Sequence, residues 1–416
     1  MPTSIDAAVP PPLPQTAEWQ RAAASDGGDG GLGYGGRLWP LVGLLLKNAV
    51  LTILTLGIYR FWARTSVRRF FWAETRVLGD PLDYLGRGLE LFLGFLIVIA
   101  ILLPLAILLN VTIALLPPGA AVVANLIYFA VLGFLVNVAI YRARRYRLSR
   151  TAWRGVRAGQ DGSSFAYALR AAGWLIVSLV TLGLAWPLAN RALARYRIEH
   201  TLFGTARAGF DAPLGPLFRA WLPAWLAGVI ALVALGWAFS QGFVLKPSDG
   251  VPTPVPKPGA GSLFVIPGLI AVAALVLSGW YRTAEARLFA NHTSLAGAGL
   301  DCRLSFGRVL GLWLAMWVTA GLLVALVVGG VAFGAVALSM TEGALAVLPL
   351  VLVILLLLSL GFLSTIFMGH LLWRHATRVT EITNPQALEH VVAGSRTNQR
   401  FGEGLADALE ADVGVF

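Results

Sequence analysis

The chain of 416 residues is 57% hydrophobic and only 13% charged, with a mean hydropathy of +0.74. Soluble domains carry about 25% charged residues, so this composition excludes an ordinary soluble fold. The net charge of +11 comes from 32 Lys and Arg against 21 Asp and Glu; in so apolar a chain it points to an anionic membrane surface rather than to nucleic acid.

Residues 1–36 hold a Pro run at 10–14 and a Gly and Asp stretch, with no basic segment leading into an apolar one. They read as a disordered arm, not a signal peptide. A membrane domain follows over 37–373, and a cytoplasmic tail over 374–416. Two apolar segments, Leu41 to Tyr59 and Ala171 to Leu188, are short, and the first is interrupted by Lys47 and Asn48. Six others are long enough for the roughly 20 residues of a bilayer crossing. They are Leu89 to Leu116, Ala120 to Tyr141, Leu217 to Phe239, Leu263 to Tyr281, Val309 to Leu338 and Ala344 to Trp373. The connections at 117–119 and 339–343 make hairpins of the first and last pairs, and the Pro-rich stretch 252–259 in the middle loop is expected as semi-rigid polyproline.

Arg and Lys gather after Tyr59, Tyr141, Leu188, Tyr281 and Trp373, which assigns these segments to the cytoplasm by the positive-inside rule. If both short segments crossed fully, the basic loops from Arg142 and Arg191 would fall on opposite faces. The expected fold is therefore an all-α polytopic protein of a bacterial inner membrane. It has six transmembrane helices in three hairpins, re-entrant or interfacial segments at 41–59 and 171–188, basic amphipathic helices on the cytoplasmic side and both termini inside. Seven crossings with the N-terminus outside is the alternative.

The basic segments repeat an Arg, a Thr six places on and usually a Gly beyond it. The copies are Arg69, Thr75 and Gly79; Arg145, Thr151 and Gly155; Arg195, Thr201 and Gly204; Arg287, Thr293 and Gly297; and Arg374 with Thr380, where Asn384 replaces the Gly. Internal repeat units of about 37–141, 165–281 and 282–373 follow, and Leu54 to Gly57 matches Val180 to Gly183. Arg60, Arg64 and Arg68 recur every fourth residue, and Arg147, Arg150, Arg154 and Arg157 at three and four, so each series makes a basic helical stripe. Such a helix would lie along the headgroup boundary, with the Gly as its stop. Lys47, Asn48, Arg60, Arg64, Arg68, Arg147, Arg150, Arg154, Arg195 and Arg287 are the candidate contacts for lipid headgroups or an anionic solute. The competing reading makes these arginines topology determinants alone.

The run from Lys47 through Asn48 to Trp62, and the ending Gly402 to Leu409, resemble the YjgN-like bacterial inner-membrane family (DUF898), a domain of unknown function. The resemblance covers most of the chain after the arm. It implies a location and an architecture but no activity. Trp186-Pro187 departs from the pattern in the second copy.

No P-loop, dinucleotide fingerprint or nucleophile turn is present in the sequence, so no enzyme activity and no cofactor are expected. Cys302 is the single cysteine, and His370 and His375 are spaced too far round a helix for a metal pair. Asn110, Asn125 and Asn137 are expected to bond between helices. The pairs Gly307 and Gly311, and Gly330 and Gly334, suit close helix packing, against this chain or a second copy. Two function classes remain: a permease for a small solute or lipid with its pocket at Lys47 and Asn48, or a non-catalytic scaffold binding anionic lipid or a cytoplasmic partner.

Overall fold

Five triplets, Thr75 to Val77, Thr151 to Trp153, Thr201 to Phe203, Thr293 to Leu295 and Thr380 to Ile382, alternate a Thr and a large apolar residue around a variable one. That alternation puts the Thr and the apolar side chain on one face of an extended strand. Each triplet follows a helix directly, and each is a strand in the computed structural model, which describes residues 31–248, 251–337, 359–388 and 391.

The described chain is a series of strand, helix, helix, strand units. The first is β1 (Leu32–Tyr34), α1 (Leu38–Leu54), α2 (Arg60–Glu74) and β2 (Thr75–Val77). The second is β3 (Asp80–Tyr84), α3 (Gly88–Ala114), α4 (Pro118–Ser149) and β4 (Thr151–Trp153), and the third β5 (Val156–Gln160), α5 (Ser164–Val180), α6 (Trp186–Glu199) and β6 (Thr201–Phe203). The fourth begins with β7 (Ala206–Phe210) and α7 (Leu214–Gly242). It then inserts the hairpin β8 (Phe243–Ser248) and β9 (Val251–Pro256) before α8 (Val265–Asn291) and β10 (Thr293–Leu295). The fifth holds β11 (Ala298–Cys302), α9 (Phe306–Ala337), the π-helical turn Thr365–Leu371, α10 (Leu372–Arg378) and β12 (Thr380–Thr383).

All strands but β8 and β9 form one antiparallel sheet of ten in chain order. Within the units the register is constant: Tyr34 faces Thr75, Tyr84 faces Thr151, Gln160 faces Thr201, Phe210 faces Thr293 and Cys302 faces Thr380. Between units the strands are joined by two-residue turns, as at Val77 and Asp80 or Trp153 and Val156. Leu78 and Gly79, Arg154 and Gly155, and Ala296 and Gly297 all have positive φ, the type I′ geometry whose twist suits a tight hairpin. The sheet curls until Gly31, ahead of β1, would bring a Cβ within 3.7 Å of Ile382 on β12. The result is a nearly closed ring with turns at one rim and helices rising from the other.

The apolar member of each triplet faces the ring's middle. Val77, Trp153, Phe203, Leu295 and Ile382, one from each unit, pack together with Leu82, Ala298, Ala387 and Leu388. Leu388 belongs to the 3-10 turn Pro385–Leu388, so the chain after β12 folds back to help fill the ring.

Above the ring, five helices among the described residues are long and apolar enough to cross a membrane. The sixth expected crossing, Ala344 to Trp373, lies largely outside the described residues, as do residues 1–30 and the acidic end of the tail; the last part of the expected disordered arm is instead β1 of the ring. The helix pairs α1 with α2 and α5 with α6 are short. Each turns back through Leu56 and Gly57, or Leu182 and Gly183, all at positive φ. The amide of Gly57 donates to Thr52 at 2.7 Å and that of Gly183 to Ser178 at 2.6 Å, the closure of a Schellman stop.

Several expectations need correction. The fold is mostly helical but not all-α, because strands of three to five residues are too short for their alternation to stand out inside basic loops. The repeated Gly residues do not stop helices: Gly79, Gly155, Gly204 and Gly297 sit in the hairpin turns, one strand past each helix end. The basic stretch after Tyr141 is no separate amphipathic helix, since α4 continues through Arg147 to Ser149. The Pro-rich loop pairs as β8 and β9 with Leu245 opposite Pro254; in a two-stranded sheet each strand is an edge, where a missing N–H is tolerated.

Candidate functional site

The repeated Thr sits where a helix hands its chain to the ring. Its hydroxyl donates back to the carbonyl four residues earlier, from Thr75 to Phe71, Thr151 to Arg147, Thr201 to Arg197 and Thr293 to Phe289, at 2.7 to 2.9 Å. In three of these the same oxygen also accepts from the neighbouring unit round the ring. Trp72 Nε1 donates to Thr151 at 2.9 Å, Arg144 to Thr201 at 3.3 Å and Trp373 Nε1 to Thr75 at 2.9 Å. Valine has the right shape and neither bond, which is the physical reason for Thr at these places.

Two of the repeated arginines reach forward in the same way. Arg69 donates to the Gly86 carbonyl at 2.8 Å and Arg145 to that of Gly162. In the third unit Arg191 takes over, donating to Ala212 at 2.5 Å, while Arg195 pairs with Glu199 along its own helix at 2.7 Å. Arg287 is exposed.

Most of the other expected anion contacts are held inside the chain. Arg60 lies 5.3 Å over the Phe95 ring, and Arg68 donates to the Tyr84 hydroxyl at 3.2 Å. Arg150 and Tyr146 both donate to the Glu90 carboxylate, at 2.8 and 2.6 Å, and Arg154 pairs with Asp80 at 2.5 Å. Arg64 and Arg147 are half-buried on the same helix feet. Lys47 and Asn48 do not share a pocket: Lys47 is exposed, while buried Asn48 donates to Ser66 at 2.9 Å and clips α1 to α2. Asn110, Asn125 and Asn137 each bond a carbonyl of their own helix rather than a neighbour. A Cβ at Gly307, Gly311 or Gly330 would meet no atom within 4 Å among the described residues, so nothing described packs into these glycines.

Sequence reasoning missed the acids and tyrosines that position this layer. Buried Glu285 accepts from Asn190 on α6 at 2.7 Å, from Tyr281 at 2.9 Å and from Arg282 at 3.2 Å. At the ring's seam the Tyr34 hydroxyl meets His370 Nδ1 at 2.9 Å, and burial together with nearby Glu74 pushes the Tyr34 hydroxyl up from its ordinary value. His370 is thus a core partner of Tyr34, and no cluster of three or more metal-ligating residues exists among the described residues. Lone Glu and Tyr residues in basic helix feet carry no motif, so no local signal could have singled them out.

Exposed charge at this level includes Asp83 and Asp211 but is mostly cationic. Arg87, Arg142, Arg170, Arg219, Arg287 and Arg308 are exposed at the feet of units two to five, between the apolar helix faces and the ring. Such a collar can take up phosphate or carboxylate groups, and it offers no nucleophile with an oriented base.

Residues 32–408 match the family model described as "Bacterial protein of unknown function (DUF898)". No curated protein and no solved structure matches the chain.

Proposed function

This chain belongs to the DUF898 family of bacterial proteins of unknown function, and we propose that it is a non-catalytic scaffold of the inner membrane. It displays the β-ring on the cytoplasmic side and holds anionic lipid headgroups around the collar. The observation that carries this reading is the belt of exposed arginines at the helix feet, directly below long apolar helices. Each such cation is worth about 1 kcal/mol near an anionic leaflet.

In this arrangement the short helix pairs are re-entrant. Their tips expose Leu54, Leu56, Val180 and Leu182, which suits an apolar leaflet interior, and their chains return to the ring on the side they left. The constant register of the five units supports an origin by duplication. The permease reading has less support, because Lys47 is exposed while Asn48 is buried between α1 and α2, and apolar residues from every unit fill the ring.

The test is lipid retention. Full-length protein in nanodiscs of mixed phosphatidylglycerol and phosphatidylcholine is expected to keep phosphatidylglycerol when released into native mass spectrometry. The combined substitution Arg142→Gln, Arg219→Gln and Arg287→Gln should lower that retention without lowering the melting temperature. Equal retention by both proteins would overturn the collar.

A further inference from the structure

The shared register allows units two and three to be matched residue by residue. Six places after Tyr84 stands Glu90, and six after Gln160 stands Ala166; five before Thr151 stands Tyr146, and five before Thr201 stands Tyr196. In unit two the Glu90 carboxylate fills the space between the helices and takes bonds from Tyr146 and Arg150. In unit three the carboxylate is missing. There the Tyr196 hydroxyl bonds the Ser163 backbone instead, and beside it opens a cavity of about 530 Å³ whose lining includes Ser163, Ala166, Arg170, Arg195, Glu199 and His200.

We propose that this cavity binds the phosphate group of an anionic lipid, which supplies from outside the negative charge that unit two supplies from Glu90. The charges favour it. Glu199 is engaged by Arg195 at 2.7 Å, whereas the Arg170 guanidinium lies 4.4 Å from the centre of the Tyr196 ring and no carboxylate pairs with it among the described residues. One Arg170 N–H reaches the Ala166 carbonyl at 3.4 Å, and the remaining N–H groups of a guanidinium over an aromatic ring can serve an oxygen pair, the geometry phosphate binds best. His200 directs Nδ1 at the Tyr196 carbonyl at 2.8 Å, which fixes the ring that forms part of the wall.

The apolar surface of α5 next to the cavity favours a lipid over a soluble phosphate. Phe165 and Leu169, neighbours of Ala166 and Arg170 in sequence, are 62% and 60% exposed on α5. Acyl chains would cover them while the headgroup sits in the cavity. The volume falls within the roughly 300 to 1,000 Å³ of small-ligand sites.

The proposal rests on the collar reading and sharpens it to one site, and the experiment separates the two. Ala166→Glu places the unit-two carboxylate in the cavity, with Ala166→Gln as the uncharged control of equal size, both in full-length protein. In phosphatidylglycerol nanodiscs Ala166→Glu is expected to weaken retention of the most tightly held lipid about tenfold or more, the scale of one lost charge-assisted contact. Arg170→Gln should do the same if Ala166→Glu fails to fold. Loss of retention by Ala166→Gln as large as that by Ala166→Glu would mean that volume rather than charge decides, and would overturn the proposal. So would wild-type retention by Ala166→Glu while the triple collar variant loses lipid, which would leave the scaffold standing. Wild-type retention in every variant overturns both. Displacement of the lipid by millimolar inorganic phosphate from wild type alone would place the site with soluble phosphates and overturn the lipid.

Discussion

The short helix pair of unit three and the long pair of unit two leave the ring from strands of identical register, yet one turns back through Leu182 and Gly183 and the other through Pro117 and Pro118. In the re-entrant arrangement proposed above, the difference lies in how each tip meets its surroundings. A tip in water can leave its carbonyls to solvent, while a tip in lipid must satisfy them from protein. In unit three the indoles of Trp221 and Trp225 on α7 donate to the carbonyls of Gly183 and Leu182 at 3.1 and 2.9 Å. The α3–α4 connection carries no such donor among the described bonds. Unit one has the same Leu and Gly turn but relies on itself, with Thr55 Oγ1 accepting from the Tyr59 amide at 2.9 Å.

Thiol labelling breaks or keeps this comparison outright. In a Cys302→Ser background, Gly119→Cys at the long tip should react with an impermeant maleimide from the periplasm. Leu56→Cys and Leu182→Cys should react from neither side. Periplasmic labelling of Leu56→Cys would make the first short pair a crossing and remove its kinship with the third unit.

Next in size is the bond between a short pair and a long one. Glu285→Ala strips Asn190 and Tyr281 of a buried partner across α6 and α8, and should cost about 3 kcal/mol of unfolding free energy in micelles. Glu90→Ala acts within one unit on a more exposed carboxylate and should cost about half as much. Equal losses would show that contacts between units are no stronger than contacts within them. The smallest effect belongs to the indoles: Trp221→Phe and Trp225→Phe should each cost about 1 kcal/mol, read as faster amide exchange over 182–185. Wild-type exchange in the double variant would remove the indoles from the account of the tip.

The long apolar helices and the five Arg and Thr pairs were legible because each is carried by local pattern. The ring was not. Its strands are three to five residues long, and the signal that marks them, Thr and a large apolar residue two apart, is visible only once five copies are aligned on Thr75, Thr151, Thr201, Thr293 and Thr380. Reading Gly79 and its counterparts as helix stops came close, since each does end a chain direction, but a strand intervenes. The candidate site was legible in charge and not in geometry. Arg68 and Arg150 looked outward from their stripes, whereas Tyr84 and Glu90, distant in sequence, draw them in. Ala166 carries no chemical signal alone and gains its meaning from the Glu that fills the same place one unit earlier.

The seam of the ring has a consequence for how the protein is made. β1 can pair with β2 soon after both leave the ribosome, but its other edge, the end of the sheet, is approached by α10 and β12 only when residue 380 has been synthesised, and Trp373 reaches Thr75 only then. Until that moment β1 is an open edge, the kind of surface that recruits foreign strands and chaperones. A chain halted before its fifth unit cannot hide that edge. The state of β1 is thus a built-in record of whether the fifth unit has been made.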